Sequence, residues 1–116
     1  MLKVVIESPF AAPTEDGIQE NVTYARMCMK DCLNRGEAPI ASHLVYTQPG
    51  ILRDEVPEDR KLGIEAGFVW GKCAEKVVFY IDRGWSRGMK TALKFWKEQG
   101  IETEIRSLIN KEENNG

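Results

Sequence analysis

A chain of 116 residues with 42% hydrophobic content can bury one real core and is too short for two ordinary domains, so a single site is expected. Sixteen basic against eighteen acidic residues leave a formal charge of -2, which argues against duplex nucleic acid as a partner while leaving room for a local patch that holds one phosphate. Three cysteines without paired spacing support neither a disulfide framework nor a zinc site, and no metal or cofactor is expected.

The opening run Leu2 to Ile6 is apolar apart from Lys3 and stops at Glu7, Ser8 and Pro9. It reads as a central strand covered on both faces, and it is too short for a signal peptide or a membrane span. A cytoplasmic protein with no membrane partner is therefore expected. Phe10 to Ile18 carries Pro13, Asp16 and Gly17, the chemistry of a loop lying over the end of that strand. From Gln19 to Arg35 the residues Val22, Ala25, Met29, Cys32 and Leu33 recur at helical spacing, with Gly36 as the stop. Cys28 and Cys32, one turn apart, read as core packing.

Ala38 to Ala41 is a short strand whose Pro39 suits an edge, followed by a polar and aromatic loop from Ser42 to Gly50. A second helix is expected from Pro57 to about Cys73, with Leu62, Ala66, Val69 and Cys73 as its buried stripe. Gly63, Gly67 and Gly71, spaced four apart, allow another backbone to come close. Val77 to Ile81 is the clearest buried strand; Asp82 to Trp85 closes it, and a third helix runs from near Ser86 to just before Gly100. Ile101, Thr103 and Ile105 alternate with Glu102, Glu104 and Arg106, the pattern of a half-exposed edge strand with its charges outward. The domain is expected to span residues 1–108, with 109–116 as a frayed tail.

Strands alternating with helices in this order imply right-handed crossovers and an α/β fold: a mostly parallel four-stranded sheet with helices on both faces. Such sheets bind ligands beyond the carboxyl ends of their strands, where the strand order reverses. With the first strand and the Val77 strand adjacent in the middle, Glu7, Ser8, Pro9 and Phe10 face Asp82 through Gly88 across that crevice. Asp82-Arg83-Gly84-Trp85-Ser86-Arg87-Gly88 has the parts of an anion cradle, with Ser86 as helix cap, Gly88 in the first turn, free backbone amides and two arginines. The plainer alternative is a capped helix with solvated arginines. Trp85 and Phe10 are candidates to stack on a base or ribose, and His43, the single histidine, is a candidate hydrogen-bonding group. No serine sits in a nucleophile-elbow motif. Glu7, Asp82 and Glu65 are the candidate catalytic carboxylates, each with an ordinary solvated or ion-paired role as its alternative.

The Ser-Pro-aromatic turn after the first strand, the Asn21-Val22 helix start, Gly36-Glu37-Ala38-Pro39-Ile40-Ala41-Ser42-His43-Leu44, the valine-rich strand and Gly84-Trp85-Ser86-Arg87-Gly88-Met89 together resemble the nucleoside 2-deoxyribosyltransferase-like superfamily. The resemblance is strongest to small phage and bacterial members of unknown function and covers the chain to about Leu108. It implies a Rossmann-like three-layer α/β/α domain, commonly homodimeric, that takes a nucleoside or nucleotide in the crevice. The enzymes of that superfamily cleave or exchange N-glycosidic bonds, and a glutamate one turn into the helix after Ser-x-Gly attacks the sugar's anomeric carbon. Here that position is Ala92, whereas the binding groups Ser8, Ser86, Arg87 and Gly88 are retained. Three readings follow: a nucleotide-binding protein without glycosidase activity, which sequesters or senses its ligand; an N-glycosidase or deoxyribosyltransferase working through another carboxylate; or an assembly module that keeps only the fold. A homodimer is expected for the first two, with Phe68, Val69 and Trp70 as contacts.

Overall fold

The computed structural model describes residues 1–109. Its elements in chain order are β1 (Lys3–Glu7), α1 (Glu15–Asn34), β2 (Ala38–Ile40), α2 (Ser42–Val45), α3 (Pro57–Gly71), β3 (Lys76–Tyr80), α4 (Arg87–Glu98) and β4 (Glu102–Arg106). The expected tail from 110 onward lies outside the described residues.

All four strands are parallel, in the order β2-β1-β3-β4. The chain leaves β1 toward β2 and returns over β1 to β3, so the order reverses between β1 and β3. Right-handed crossovers then put α1 on one face and α3 and α4 on the other, the arrangement of a Rossmann-like α/β domain. Each face has its own core. Val4, Ile6, Val78 and Tyr80 meet Tyr24, Cys28 and Cys32 of α1, while Val5, Val77 and Phe79 meet Met89, Ala92 and Trp96 of α4. The unbroken apolar runs Val4 to Ile6 and Val77 to Tyr80 reflect this double coverage. No helix among the described residues is long and apolar enough to cross a membrane.

Four local expectations need correction. Helix α1 starts at Glu15 and not at Gln19, because Thr14 caps it: the Thr14 side chain accepts from the Gly17 amide at 3.0 Å, with Glu15 and Asp16 favourably placed in the first turn. Its buried face runs through Asn21, Tyr24, Ala25, Cys28, Asp31 and Cys32, which leaves Leu33 exposed. Ser42 to Val45 forms the short helix α2 where a loop was expected.

The third correction concerns α3, which buries its glycines and shows its expected stripe to solvent. Leu62 and Val69 are 55% and 64% exposed, and Cys73 is exposed as well. A Cβ on Gly67 would lie 2.6 Å from the Ser42 hydroxyl, and one on Gly71 would lie 2.1 Å from the Trp96 ring. The close approach read from these glycines is thus made by side chains rather than by backbone. The fourth is the phase of β4. Glu104 and Arg106 face the α1 side in register with Val78 and Tyr80, and Arg106 is buried while Ile105 is 54% exposed. What reverses the expected pattern is a polar core: Arg106 makes two 2.7 Å hydrogen bonds to Glu37, Tyr80 donates to Asp31, and Glu104 pairs with Lys76 and Arg106.

Candidate functional site

At the reversal between β1 and β3 the carboxyl ends of the strands open into a cleft of about 520 Å³, within the usual size range of small-molecule sites. One wall is the end of β1, with Glu7, Ser8 and Phe10; a second is α2, with Ser42 and His43. The third is the start of α4, with Ser86, Arg87, Gly88 and the following turn to Ala92. The α3 helix closes the side through Gly67 and Phe68, because a glycine at 67 lets Ser42 sit against the helix.

The α4 wall has the expected cap but one arginine of the expected two, because Arg83 turns to α1 and bonds Asn21 at 2.7 Å and Glu20 at 3.2 Å. Ser86 is extended and accepts from the Met89 amide at 3.1 Å, so it satisfies one of the amides opening the helix. The first turn contains no acidic residue that would neutralise the helix terminus. Arg87 lies at the rim, exposed. Met89, Ala92 and Trp96 anchor the opposite side of α4 in the core, which fixes the direction of its amino terminus.

Ser8 and His43 are brought together from opposite ends of a 35-residue separation: Ser8 Oγ and His43 Nε2 are 2.9 Å apart. Ser8 is 7% exposed. Burial pushes the His43 imidazole down to about 4, so it is neutral at physiological pH and can serve as donor or acceptor. Phe10 packs edge-on against the His43 ring, with centroids 6.3 Å apart.

Of the three predicted carboxylates, Glu7 lines the cleft. Burial pushes its carboxyl up to about 7, and the neighbouring Trp96 indole offsets part of that effect without closing a hydrogen bond of normal geometry. A carboxyl that titrates near neutrality in a crevice is the kind of group found at functional sites. Because its value when folded lies above the ordinary 4.5, the folded state holds this proton longer than the unfolded chain. Its contribution to stability is therefore complete below pH 4.5 and is lost as the pH rises through about 7. The loss is at most about 3 kcal/mol, because Glu7 is only partly buried. Glu7→Gln is expected to raise stability at pH 8 and to leave it nearly unchanged at pH 5, as read from urea unfolding at the two pH values. A variant with the same effect at both would contradict this assignment.

The other predicted residues are placed differently. Asp82 points to the α1 face, where Tyr24 donates to it at 2.6 Å and Leu108 at 2.9 Å, with Ser107 and Ile109 as further donors. Burial works to raise its carboxyl, but these four hydrogen bonds outweigh it and hold the group below its ordinary value. Asp82 thus ties down the segment after β4 and does not reach the cleft. Glu65 is exposed on α3, away from the cleft lining. Trp85 stacks on Phe79 at 5.5 Å and 28°, so it belongs to the α4-side core and does not face Phe10 across a ligand. Gly84 takes the positive φ of 88° that the turn after β3 requires, and Pro9 is buried beneath the turn after β1. Neither borders the cleft. Phe68 stacks on Phe95 at 4.2 Å and is half-buried, whereas Val69 and Trp70 are exposed.

No local pattern singles out Asp54 and Arg60, which also border the cleft and pair at 2.9 Å. They precede and open α3, and only the packing of α3 beside α2 brings them to the site. Ala92, the position where the resemblance places a nucleophilic glutamate, lines the cleft with a methyl group.

Fold and cleft define a Rossmann-like α/β domain with a ligand-sized crevice at its topological switch point. The chain belongs to the DUF7768 family, a domain of unknown function, whose model matches residues 2–106. No curated protein and no solved structure matches it.

Proposed function

We propose that this protein binds a nucleoside or nucleotide in the cleft between β1 and α4, and that it sequesters or senses that ligand. The observation that carries the reading is the convergence on one cleft of the amides opening α4, the adjacent Arg87 and the neutral Ser8–His43 pair. A helix terminus and an arginine suit a phosphate, and neutral hydrogen-bonding groups beside an aromatic edge suit a sugar or base. The sequence resemblance to the nucleoside 2-deoxyribosyltransferase-like superfamily points the same way.

Calorimetric titration with a panel of nucleosides and mononucleotides should detect binding, and Arg87→Ala should weaken the phosphorylated ligands by about five- to tenfold, the loss of one exposed charge-assisted hydrogen bond. Heats indistinguishable from dilution across the panel would reject the reading.

One observation favours a second reading, an N-glycosidase or deoxyribosyltransferase. Of the three candidate carboxylates, Glu7 is the one that borders the cleft, with its carboxyl raised to about 7. At that value it can carry a proton to a leaving base near neutral pH. Chromatography of nucleosides and their monophosphates after incubation should then show free base, with release abolished in Glu7→Gln. No release, or release unchanged in that variant, counts against it.

A homodimer is part of the proposal: Leu62, Val69 and Trp70 leave an apolar strip along α3 that a second copy can cover. Light scattering at micromolar concentration would reveal a monomer if this is wrong. A cytoplasmic setting also fits, since Cys28, Cys32 and Cys73 are all free thiols, as a reducing compartment keeps them. Cell fractionation that recovers the protein outside the cytoplasm would overturn that part.

A further inference from the structure

The cleft continues beyond the Ser8–His43 wall. Past Phe10 and Ala11 it opens into a second groove of about 690 Å³, between the first half of α1 and the segment joining α2 to α3. Four residues border both spaces: Phe10, Ala11, Asp54 and Arg60. Arg60 and Asp54 stand at the junction as an ion pair of 2.9 Å, with side chains 44% and 24% exposed. A partly exposed pair of this kind is weak, and its guanidinium can turn to a better acceptor such as phosphate without leaving a buried charge behind.

The groove offers polar groups beside the apolar Ile18, Val22, Leu44 and Leu52. Gln19 and Arg26 of α1 line one side, and Thr47 and Gln48 line the other. Arg53 is engaged with Glu55, whereas Arg26 has no ion-pair partner among the described residues. The two spaces together therefore offer an anion cradle at α4, a switchable arginine in the middle and a free arginine at the far end. Their volumes, about 520 and 690 Å³, together exceed what one mononucleotide fills.

We infer that the groove is a second subsite for the same ligand, so that the preferred ligand is a nucleotide whose phosphate carries a second polar unit, as in a nucleoside diphosphate sugar. The inference rests on the nucleotide-binding reading and adds the ligand class. With the first phosphate at the α4 cradle, Arg60 would hold the second at the junction, and Arg26, Thr47 and Gln48 would receive the appended unit.

The test is a calorimetric comparison of matched pairs: AMP with ADP-ribose, GMP with GDP-mannose, UMP with UDP-glucose, and CMP with CDP-choline. At least one pair should show the extended ligand binding about tenfold or more tighter. Arg26→Ala, which borders the groove alone, should reduce that advantage while leaving the mononucleotide affinity unchanged; Arg60→Ala should remove it. Circular dichroism of both exposed-site variants establishes that they are folded. Binding of an extended ligand alone, lost in Arg60→Ala, also supports the subsite. Equal affinities within every pair, or an advantage that survives both substitutions, overturn the subsite and leave the cleft reading intact. Absence of binding by every member of the panel overturns both.

Discussion

Arg106→Met is expected to lower the stability of the domain by about 3 kcal/mol at pH 7, the low end of what breaking a buried ion pair costs. Arg106 is 3% exposed and Glu37 is 6% exposed. Their bidentate contact, two hydrogen bonds of 2.7 Å, is the main reason the Glu37 carboxyl lies below its ordinary value. Methionine fills much of the space but leaves that carboxylate in the protein interior. Lys76, with Nζ at 3.5 Å from Glu37, limits the damage and places the loss at the lower end of the range.

The pH dependence follows from the sign of the shift. Glu37 has a depressed value when folded, so its contribution is present above its ordinary 4.5 and is lost as the pH falls below that point. The deficit of Arg106→Met should therefore shrink on acidification below pH 4.5, where the orphaned carboxylate can take a proton. Adding Glu37→Gln should recover part of the loss at pH 7, because the pair is coupled and the double variant buries no unpaired charge. Urea unfolding of the four proteins of this cycle measures both effects. A single-variant loss under about 1 kcal/mol, or additive losses, would mean that the contact contributes no more than a surface pair.

Gly71→Ala is expected to cost about 2 to 3 kcal/mol and to lower Tm by roughly 10 °C. Trp96 is fully buried and lies with its ring edge over Gly71, so a Cβ there would come within 2.1 Å and 2.5 Å of two ring carbons. The indole is held in turn by Phe68 and Phe95, edge-to-face at 5.2 Å and 4.8 Å. It cannot swing away without disturbing both. The helix-propensity gain that alanine ordinarily brings is small here, because Gly71 is the last residue of α3. Gly63→Ala is the internal comparison: its Cβ would meet the end of the Leu52 side chain at 3.3 Å and the Tyr46 Cβ at an ordinary 4.0 Å, and mid-helix alanine is favoured, so it should be neutral or stabilising by up to about 1 kcal/mol. Thermal melts that rank the two variants the other way would disprove the packing argument.

The same two regions show where reading the chain succeeds and where it stops. β1 and β3 are legible because both faces of their centres are covered, so Val4 to Ile6 and Val77 to Tyr80 are apolar without a break and no phase has to be chosen. The start of α4 is legible because Ser86, the residues after it and Gly88 carry helix-capping chemistry within a few positions. Given those elements, the crevice between Glu7–Ser8 and Ser86–Gly88 follows from the rule for parallel sheets. Asp82 and Trp85 stand in the same stretch of sequence yet turn away from the cleft, because Tyr24 and Leu108 capture one and Phe79 the other. The buried side of β4 reads in the wrong phase for a related reason: the partner that makes burial of Arg106 favourable is 69 residues away in Glu37.

The amino-acid sequence by itself determined the order of strands and helices, the parallel sheet and the position of the crevice, since apolar periodicity, caps and glycine stops act over one or two turns of chain. Tertiary structure alone decided which face of α3 and β4 turns inward, which carboxylate reaches the cleft, and that Ser8 meets His43. Those outcomes depend on the size and charge of side chains that arrive from distant segments, and no local pattern encodes their arrival.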